Sequence, residues 1–261
     1  MNNSKLIKHI VNWLSSYSKN SNTKGFVVGV SGGVDSAVTS TLCCKTGLET
    51  ICLEMPIFQS INEVERSKNH ISWLKSNFKN INSRNVNLTS SFSELKKTIS
   101  DSKNPQNNLA LANTRSRLRM ATLYYYASIN KYLVVGTGNK VEDFGVGFYT
   151  KYGDGGVDIS PIADLMKSEV RNIAKEMGII NEIIIAKPTD GLWDDTRTDE
   201  EQIGASYDEL EWAMQELEKN NSSDLSIRQK EVVSILKKLN KQNSHKMNPI
   251  PVCEIPEKLR N

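Results

Sequence analysis

Short β-like runs alternate with helix-like stretches along the first two thirds of the chain. Runs of apolar and β-branched residues predict four strands, at residues 25–30, 50–55, 85–88 and 132–135. Helical patterns lie between them, at residues 35–45, 60–78, from 91 onward and 109–129. This rhythm predicts an α/β fold, a doubly wound parallel sheet with helices on both faces and right-handed crossovers.

The last third of the chain is mostly helical in its pattern. Helices are predicted at residues 167–177, 200–219 and 225–239. Residues 189–201 are polar and acidic and are predicted to form a mobile loop, and residues 220–224 a surface turn. We therefore expect a single domain over residues 1–261, with an α/β core at about 20–185 and a helical C-terminal extension at about 199–261.

The first strand runs directly into the segment Ser31-Gly32-Gly33-Val34-Asp35-Ser36. A glycine pair lets the backbone approach a ligand closely, and the N–H groups of the following helix point into the same loop. Strand, glycine turn and helix N-terminus together form a phosphate cradle, to which the two serine hydroxyls can contribute. A carboxylate repels phosphate unless a cation lies between them, so Asp35 is a candidate Mg²⁺ ligand.

The segment Ser31–Ser36 has three other possible interpretations: a Walker loop, a dinucleotide-binding turn and a purely structural turn. A Walker loop needs a lysine after its last glycine, and none follows Gly33. The dinucleotide fingerprint needs a different glycine spacing. A purely structural strand-to-helix turn, with Asp35 as the N-cap, stays open.

Three further segments carry candidate chemistry. Thr137 and Glu142 follow the strand at 132–135, where ligands of open α/β sheets bind, so they can meet a nucleotide and supply a second carboxylate for a metal. Lys151 and Asp158 flank the glycine turn at 153–156, which can offer backbone donors, a cation and an acceptor. Near the C-terminus, the side chains of His245 and Lys246 can bind phosphate.

The Ser-Gly-Gly-x-Asp-Ser segment resembles the pyrophosphate loop of the ATP pyrophosphatases, which cleave ATP between the α and β phosphates. Residues 147–158, Gly204-Ala-Ser-Tyr-Asp208 and His245-Lys246 resemble the ammonia-dependent NAD synthetases, over most of the chain. The resemblance implies a Rossmann-like fold and a ligase that forms a C–N bond. It also implies the reaction: ATP-driven adenylation of deamido-NAD, then amidation by ammonia to give NAD, AMP and pyrophosphate.

The resemblance also implies roles for particular residues. Asp35 and Glu142 would hold Mg²⁺, and Asp35 and Lys151 would be catalytic. The residues implied for ATP are Gly29, Val30, Ser31, Gly32, Gly33, Val34, Asp35, Ser36, Thr137, Lys187 and Ser206. Those implied for deamido-NAD are Arg117, Lys151, Asp158, His245 and Lys246. The family forms homodimers whose substrate site lies at the subunit interface.

Two departures from the family pattern affect these roles. Many members carry a nucleotide-binding lysine where this chain has Ala186, so Lys187 is the candidate for that contact. Many members also have Asp-His-Ala where this chain has Gly138-Asn139-Lys140, which leaves the contacts near the metal undecided.

Composition narrows the partners and the location. The chain has 33 basic and 30 acidic residues without a basic block, which argues against nucleic acid. No signal peptide and no apolar run of about 18 residues is present, so no membrane partner is expected. The four cysteines form no CxxC pair, which indicates reduced thiols and a cytoplasmic location.

Other functions of the same superfamily remain as alternatives. A tRNA-thiolation enzyme should carry catalytic cysteines and a basic surface, and a GMP synthetase should carry its own substrate segments. A non-catalytic nucleotide sensor would bind ATP without releasing pyrophosphate. A glutamine-dependent enzyme needs an added amidase domain, and 261 residues are too few for one. Free ammonia, or ammonia from a separate partner, is therefore the expected nitrogen donor.

Several polar residues favour structural roles. His9 and His70 lie on amphipathic helical stretches, and Cys43 and Cys44 are expected in the core. Arg115 and Arg119 share one helix face, with Arg117 nearly opposite, and a solvated face is the simplest interpretation.

Overall fold

The part of the chain that the structure describes forms a sheet of four parallel strands, in which the third strand lies at one edge and is followed by the second, the first and the fourth. A computed structural model describes residues 2–189, 191–193, 197–219 and 225–260. The strands are β1 Gly25–Gly29, β2 Glu49–Glu54, β3 Ile81–Asn85 and β4 Leu133–Val134. The α-helices of the described residues are α1 Asn3–Asn20, α2 Val34–Lys45, α3 Ile61–Asn77, α4 Thr89–Ile99, α5 Asn107–Asn130, α6 Lys167–Glu176, α7 Asn181–Ile184, α8 Asp199–Ile203, α9 Tyr207–Glu218 and α10 Ile227–Met247.

Both faces of the sheet are covered, as the near-continuous apolar sequence of the central strand requires. Successive side chains of a strand point to opposite faces. Phe26 and Val28 accordingly pack with α1, α2 and α6, whereas Val27 packs with α4 and α5. The structure thus confirms the doubly wound α/β fold.

The strand order reverses between β1 and β4, because β2 and β3 extend the sheet on one side of β1 and β4 pairs on the other. In open α/β sheets ligands bind in the crevice at such a switch point, beyond the carboxyl ends of the strands. The glycine loop follows β1 and the segment from Gly136 to Glu142 follows β4. The topology therefore brings the two predicted nucleotide segments together.

The C-terminal helices pack on the segment that follows β4. That segment contains a π-helix, Val141–Val146, whose Val141 and Val146 form a buried cluster with α9 and α10. The Asn240 and Asn243 amides of α10 donate to backbone carbonyls of the π-helix, at 2.8–2.9 Å. The packing of these helices consequently fixes the backbone that carries Glu142.

Two sequence predictions in the middle of the chain were wrong. The third strand is Ile81–Asn85 and not residues 85–88. Val86 and Leu88 are apolar because they pack on the core at the entry to α4, not because they extend a strand. Helix α4 begins at Thr89 with Leu88 as N-cap, so Ser91 lies inside it and does not open a capping box.

The C-terminal helices also differ from their predicted bounds. The single helix expected at 200–219 is two helices, since Gly204 adopts a φ of +88° and ends α8, and Ser206 caps α9. Helix α10 continues to Met247, beyond the predicted residue 239.

Parts of two predicted loops lie outside the described residues. The predicted turn at 220–224 lies outside the described residues, as do Asp190 and residues 194–196 of the predicted loop at 189–201. The end of that predicted loop is helical, because α8 starts at Asp199. Within the described part of the chain, no helix has the length and apolarity needed to cross a membrane.

Candidate functional site

A cavity of about 290 Å³ lies at the switch point of the sheet. All eight residues of the glycine loop, 29–36, line it. Thr137 and Glu142 line it from the segment after β4, and Lys187 lines it from the other side. Ten of the eleven residues expected to meet ATP therefore face one space, and Ser206 is the exception.

The glycine loop is held open by its backbone conformation and by its serines. Gly32 has a φ of +84°, and a Cβ there would lie 2.8 Å from the Glu63 carbonyl oxygen, so no larger residue fits. The Ser36 hydroxyl accepts from the Ser31 N–H at 3.2 Å and donates to the Gly33 carbonyl at 3.0 Å. The N-terminus of α2 thus faces the cavity with N–H groups that have no helical acceptor.

Helix α2 begins at Val34 and its N-cap is Gly33. Asp35 is therefore the second residue of the helix and not its cap, so the N-cap role that the structural interpretation gave it is wrong. Its side chain instead points across the crevice toward the segment after β4.

A buried lysine joins the two carboxylates that were expected to hold the metal. The Lys167 Nζ lies 2.6 Å from Asp35 Oδ2 and 2.9 Å from Glu142 Oε1. The Asn139 amide donates to Asp35 Oδ1 at 3.2 Å, and the Tyr207 hydroxyl donates to Glu142 Oε1 at 2.6 Å. Side chains from α2, the π-helix, α6 and α9 meet at this point.

The electrostatics of this cluster follow from its burial. Burial alone lowers the pKa of Lys167, but Asp35 and Glu142 raise it above its ordinary value, so the ammonium stays charged. Burial raises the pKa of Asp35, and Lys167 opposes that shift only in part. Burial also disfavours the charged form of Glu142, but Lys167 and the Tyr207 hydroxyl lower its pKa overall.

The Asp35 and Glu142 carboxylates are suitable ligands for the Mg²⁺ ion of a nucleotide-binding site. Mg²⁺ prefers oxygen ligands, and such sites hold it through one or two carboxylates, with phosphates and waters as the other ligands. Asp35 and Glu142 supply two carboxylates at the mouth of a phosphate cradle. No group of three or more His, Cys, Asp or Glu side chains in the described residues could hold a metal alone.

Lys167 was missed by the sequence analysis. One signal was available, because a lysine at the first position of a helix opposes the helix dipole and needs another reason to be there. The reason is tertiary: its ammonium reaches two carboxylates that lie 132 and 25 residues away along the chain.

Two further cavity carboxylates were also missed as site residues. Asp143 and Asp154 line the main cavity and a smaller one of about 170 Å³ beside it. A Cβ on Gly138 would overlap the Asp143 carboxylate, so the glycine that departs from the family pattern makes room for this side chain. Burial, with Glu142, Asp154 and Asp35 nearby, raises the pKa of Asp143 to about 8.

Four of the residues expected to bind deamido-NAD lie together, outside the cavity lining. The Arg117 guanidinium donates to the Lys151 carbonyl at 3.4 Å, and the Lys151 ammonium donates to the His245 carbonyl at 2.6 Å. Lys246 donates to the carbonyls of Gly147 and Tyr149 at 2.6 and 2.7 Å. They form a basic surface between α5, the glycine turn and the end of α10.

Two predicted site residues have structural partners instead. The Asp158 carboxylate accepts from the Val134 N–H at 2.8 Å and from the Tyr124 hydroxyl at 3.0 Å, and so anchors the end of β4. Ser206 caps α9 and exchanges hydrogen bonds with Glu209. The structure brings neither side chain into the cavity lining.

Residues 186–193, here called the roof loop, cover one side of the cavity, and all of them except residue 190 are described. The Thr189 hydroxyl donates to Glu63 at 3.2 Å and the Gln59 amide donates to the Gly191 carbonyl at 2.6 Å. The Arg115 guanidinium donates to the Leu192 carbonyl at 2.7 Å, and it is buried over the Phe92 ring. A solvated face, expected for the arginines of α5, is therefore wrong for Arg115 and holds for Arg117.

Fold and site together define a Rossmann-like α/β protein with a glycine-loop cavity at its switch point. Residues 6–250 match the family described as NAD synthase. The chain belongs to this family.

Individual relatives agree with the family match. The NH(3)-dependent NAD(+) synthetase of Carboxydothermus hydrogenoformans is 36% identical over 95% of both chains. That of Mesoplasma florum is 39% identical over 78% of this chain and 82% of its own.

Solved structures show the same fold over almost the whole chain. The NMN synthetase of Francisella tularensis superposes with a TM-score of 0.85 at 27% identity, over 98% of this chain and 100% of its own. The NH3-dependent NAD synthetase of Campylobacter jejuni superposes with a TM-score of 0.79 at 25% identity, over 97% of this chain and 100% of its own.

Proposed function

We propose that this chain is an ammonia-dependent NAD synthetase, which adenylates deamido-NAD with ATP and then amidates it with ammonia. The observation that carries the proposal is the meeting of the glycine loop, Asp35, Glu142 and Lys167 in one cavity. Membership of the NAD synthase family supports the particular substrate.

In the first step, an oxygen of the deamido-NAD carboxylate attacks the α-phosphorus of ATP, and the bond from that phosphorus to pyrophosphate breaks. The N–H groups at the start of α2 and the Ser31 and Ser36 hydroxyls would bind the phosphates, joined by Thr137 and Lys187. Mg²⁺ held by Asp35 and Glu142 would neutralise charge on the leaving pyrophosphate. The chain supplies positioning and charge rather than a covalent nucleophile.

In the second step, ammonia attacks the acyl carbon of the adenylate, the bond from that carbon to the AMP oxygen breaks, and the nitrogen releases one proton to solvent as the amide forms. Ammonium must lose a proton first, and Asp143 and Asp154 are carboxylates on the cavity wall that can accept it. The roof loop covers the same space, and its three tethers would exclude the water that competes with ammonia.

Deamido-NAD would bind along the basic surface of Arg117, Lys151, His245 and Lys246 that adjoins the cavity. We retain the catalytic role of Lys151 and the substrate role of Asp158 as proposals from the family resemblance. Asp158 would act through its contacts to β4, because its carboxylate is already hydrogen-bonded. Ser206 would need to leave its helix cap to reach ATP.

The basic surface lies beside the cavity, and a second subunit could complete it, so we propose a homodimer with the substrate site at its interface. Light scattering of the purified protein tests this, and a monomer at assay concentrations would overturn it.

We also propose a cytoplasmic location, which the buried free thiols of Cys43, Cys44 and Cys52 support.

Pyrophosphate release with ATP, Mg²⁺ and ammonium tests the function, with deamido-NAD, nicotinate mononucleotide and xanthosine monophosphate as separate acceptors. Release that requires deamido-NAD, with NAD formed, is the expected result. Release without any amidated product would contradict the proposal.

The nicotinate mononucleotide arm addresses a second candidate function. The Francisella tularensis NMN synthetase superposes with a higher TM-score than the Campylobacter jejuni NAD synthetase. The sequence relatives favour deamido-NAD. A higher kcat/KM for the mononucleotide than for deamido-NAD would assign this chain to the second activity.

A further inference from the structure

One ammonium occupies the place between the two carboxylates that are proposed to hold the metal. The Lys167 side chain is 3% exposed and contacts both Asp35 and Glu142. Its Nζ also lies 4.7 Å from the centre of the Tyr207 ring, which adds a favourable cation–π contact. The protein itself therefore supplies the cation that this carboxylate pair needs.

Two other side chains of the protein also donate hydrogen bonds to this carboxylate pair. Asn139 donates to Asp35 and the Tyr207 hydroxyl donates to Glu142. Asn139 is itself fully buried, and its side-chain oxygen accepts from the Val141 and Glu142 N–H groups, which fixes its orientation. Before nucleotide arrives, both Asp35 oxygens and Glu142 Oε1 therefore already contact donors of the protein itself.

Adding a divalent cation to this cluster is electrostatically unfavourable. Two carboxylates and one ammonium carry a net charge of about −1, and a divalent ion would reverse it to about +1 in a buried place. Displacing the lysine instead would leave an ammonium buried without its partners, which is strongly destabilising. A triphosphate brings enough negative charge for both cations to remain.

We propose that Lys167 is a built-in substitute for the metal ion, so that a divalent cation binds this site only together with the nucleotide. The inference rests on the proposed function only in taking Asp35 and Glu142 as metal ligands. Its consequence is an order of binding: the metal enters with ATP, and the protein alone does not retain it.

Mn²⁺ binding to the protein without nucleotide tests this, with free Mn²⁺ counted by electron paramagnetic resonance. Wild-type protein should bind Mn²⁺ weakly, and Lys167→Met should bind it at least about tenfold more tightly, because the carboxylates lose their internal cation. Adding Asp35→Asn to Lys167→Met should remove the gain, which places the new site at this pair.

Lys140→Met is the matched control, since it removes a lysine that also contacts two carboxylates, those of Asp164 and Glu218 at 3.5 and 3.6 Å. It should leave Mn²⁺ binding unchanged, as should the charge-conserving Lys167→Arg. Circular dichroism checks that each variant is folded, and Lys167→Gln replaces Lys167→Met if the latter does not fold.

Mn²⁺ binding by the wild-type protein as tight as by Lys167→Met would overturn the inference. An equally clear contradiction would be unchanged Mn²⁺ affinity on adding α,β-methylene-ATP to the wild-type protein. The Mn²⁺ titrations contain no deamido-NAD or other acceptor. A failure to make NAD in the activity assay would therefore contradict the proposed function alone. The Mn²⁺ titrations would still decide the role of Lys167.

Discussion

The Tyr207 hydroxyl donates to Glu142 Oε1 at 2.6 Å, and this bond connects the first residue of α9 to the carboxylate end of the cavity. The phenol ring is fully buried in the cluster formed by the π-helix, α9 and α10. Burial and the neighbouring Glu142 and Asp199 carboxylates raise the pKa of Tyr207, so the hydroxyl remains a donor. The C-terminal helices thereby take part in orienting a proposed metal ligand.

Tyr207→Phe removes this donor and keeps the ring in its packed position. Hydrogen bonds to charged groups contribute about 1.5–3 kcal/mol, so kcat/KM for pyrophosphate release should fall at least about tenfold. The thermal midpoint should change by only a few degrees. Tyr125→Phe on the exposed face of α5 is the control, and equal activities of the two variants would contradict the role of Tyr207.

Asp35→Asn should abolish most turnover while the fold stays intact. The amide cannot neutralise a metal ion or Lys167, and losing one such electrostatic group from an active site costs about 10²–10³ in kcat. Pyrophosphate release measures the effect, and circular dichroism monitors the fold. Asp164→Asn, at a side chain that is 98% exposed, should retain normal turnover. Near-normal turnover by Asp35→Asn would rule out its metal role.

Gln59→Leu should uncouple adenylation from amidation. The Gln59 side chain donates to the Gly191 carbonyl at 2.6 Å and accepts from Arg119 at 2.7 Å, so leucine of similar size releases one tether of the roof loop. Water then reaches the adenylate, and more AMP than NAD should form. The measurement is the ratio of AMP to NAD produced.

Wild-type protein and the exposed control Gln215→Leu should produce AMP and NAD in equal amounts. A Gln59→Leu variant that is slower but still produces equal amounts would show that this tether does not exclude water.

His70 should make the folded state sensitive to acid. Its side chain is fully buried against Ser40, with Oγ and Nε2 2.9 Å apart, and burial lowers its pKa to about 4. The unfolded chain titrates near pH 6.5 and takes up the proton first, so stability is complete above that pH and falls as the pH drops toward 4. Between pH 7 and 5 this one group should cost about 2 kcal/mol.

His70→Gln removes that titration, so its free energy of unfolding should fall less than that of the wild type over the same interval. Urea unfolding at pH 7 and pH 5 measures the difference. His9→Gln on the exposed face of α1 should behave as the wild type does. If the free energy of unfolding falls equally for all three proteins between pH 7 and pH 5, His70 takes up its proton in the folded state as well.

Local patterns were sufficient for the class of fold and for the phosphate cradle. The strand-to-helix rhythm and the Ser31–Ser36 segment are short-range signals, because periodicity and glycine conformations depend on adjacent residues. They predicted the doubly wound sheet, the loop that faces the cavity, and the meeting of Thr137 and Glu142 with it. Resemblance to the family then supplied the substrate, which no local pattern contains.

The tertiary structure decided which charged side chains meet. Lys167 reaches Asp35 across 132 residues, and Tyr207 reaches Glu142 across 65, so no sequence window contains either pair. It also gave two predicted site residues structural contacts, since Ser206 caps a helix and Asp158 anchors a strand. Sequence alone determined the alternation of strands and helices and the place where phosphate can bind, because those depend on neighbouring residues. Only the packing of distant elements determined the charges around that place, because electrostatic contacts depend on distance in space.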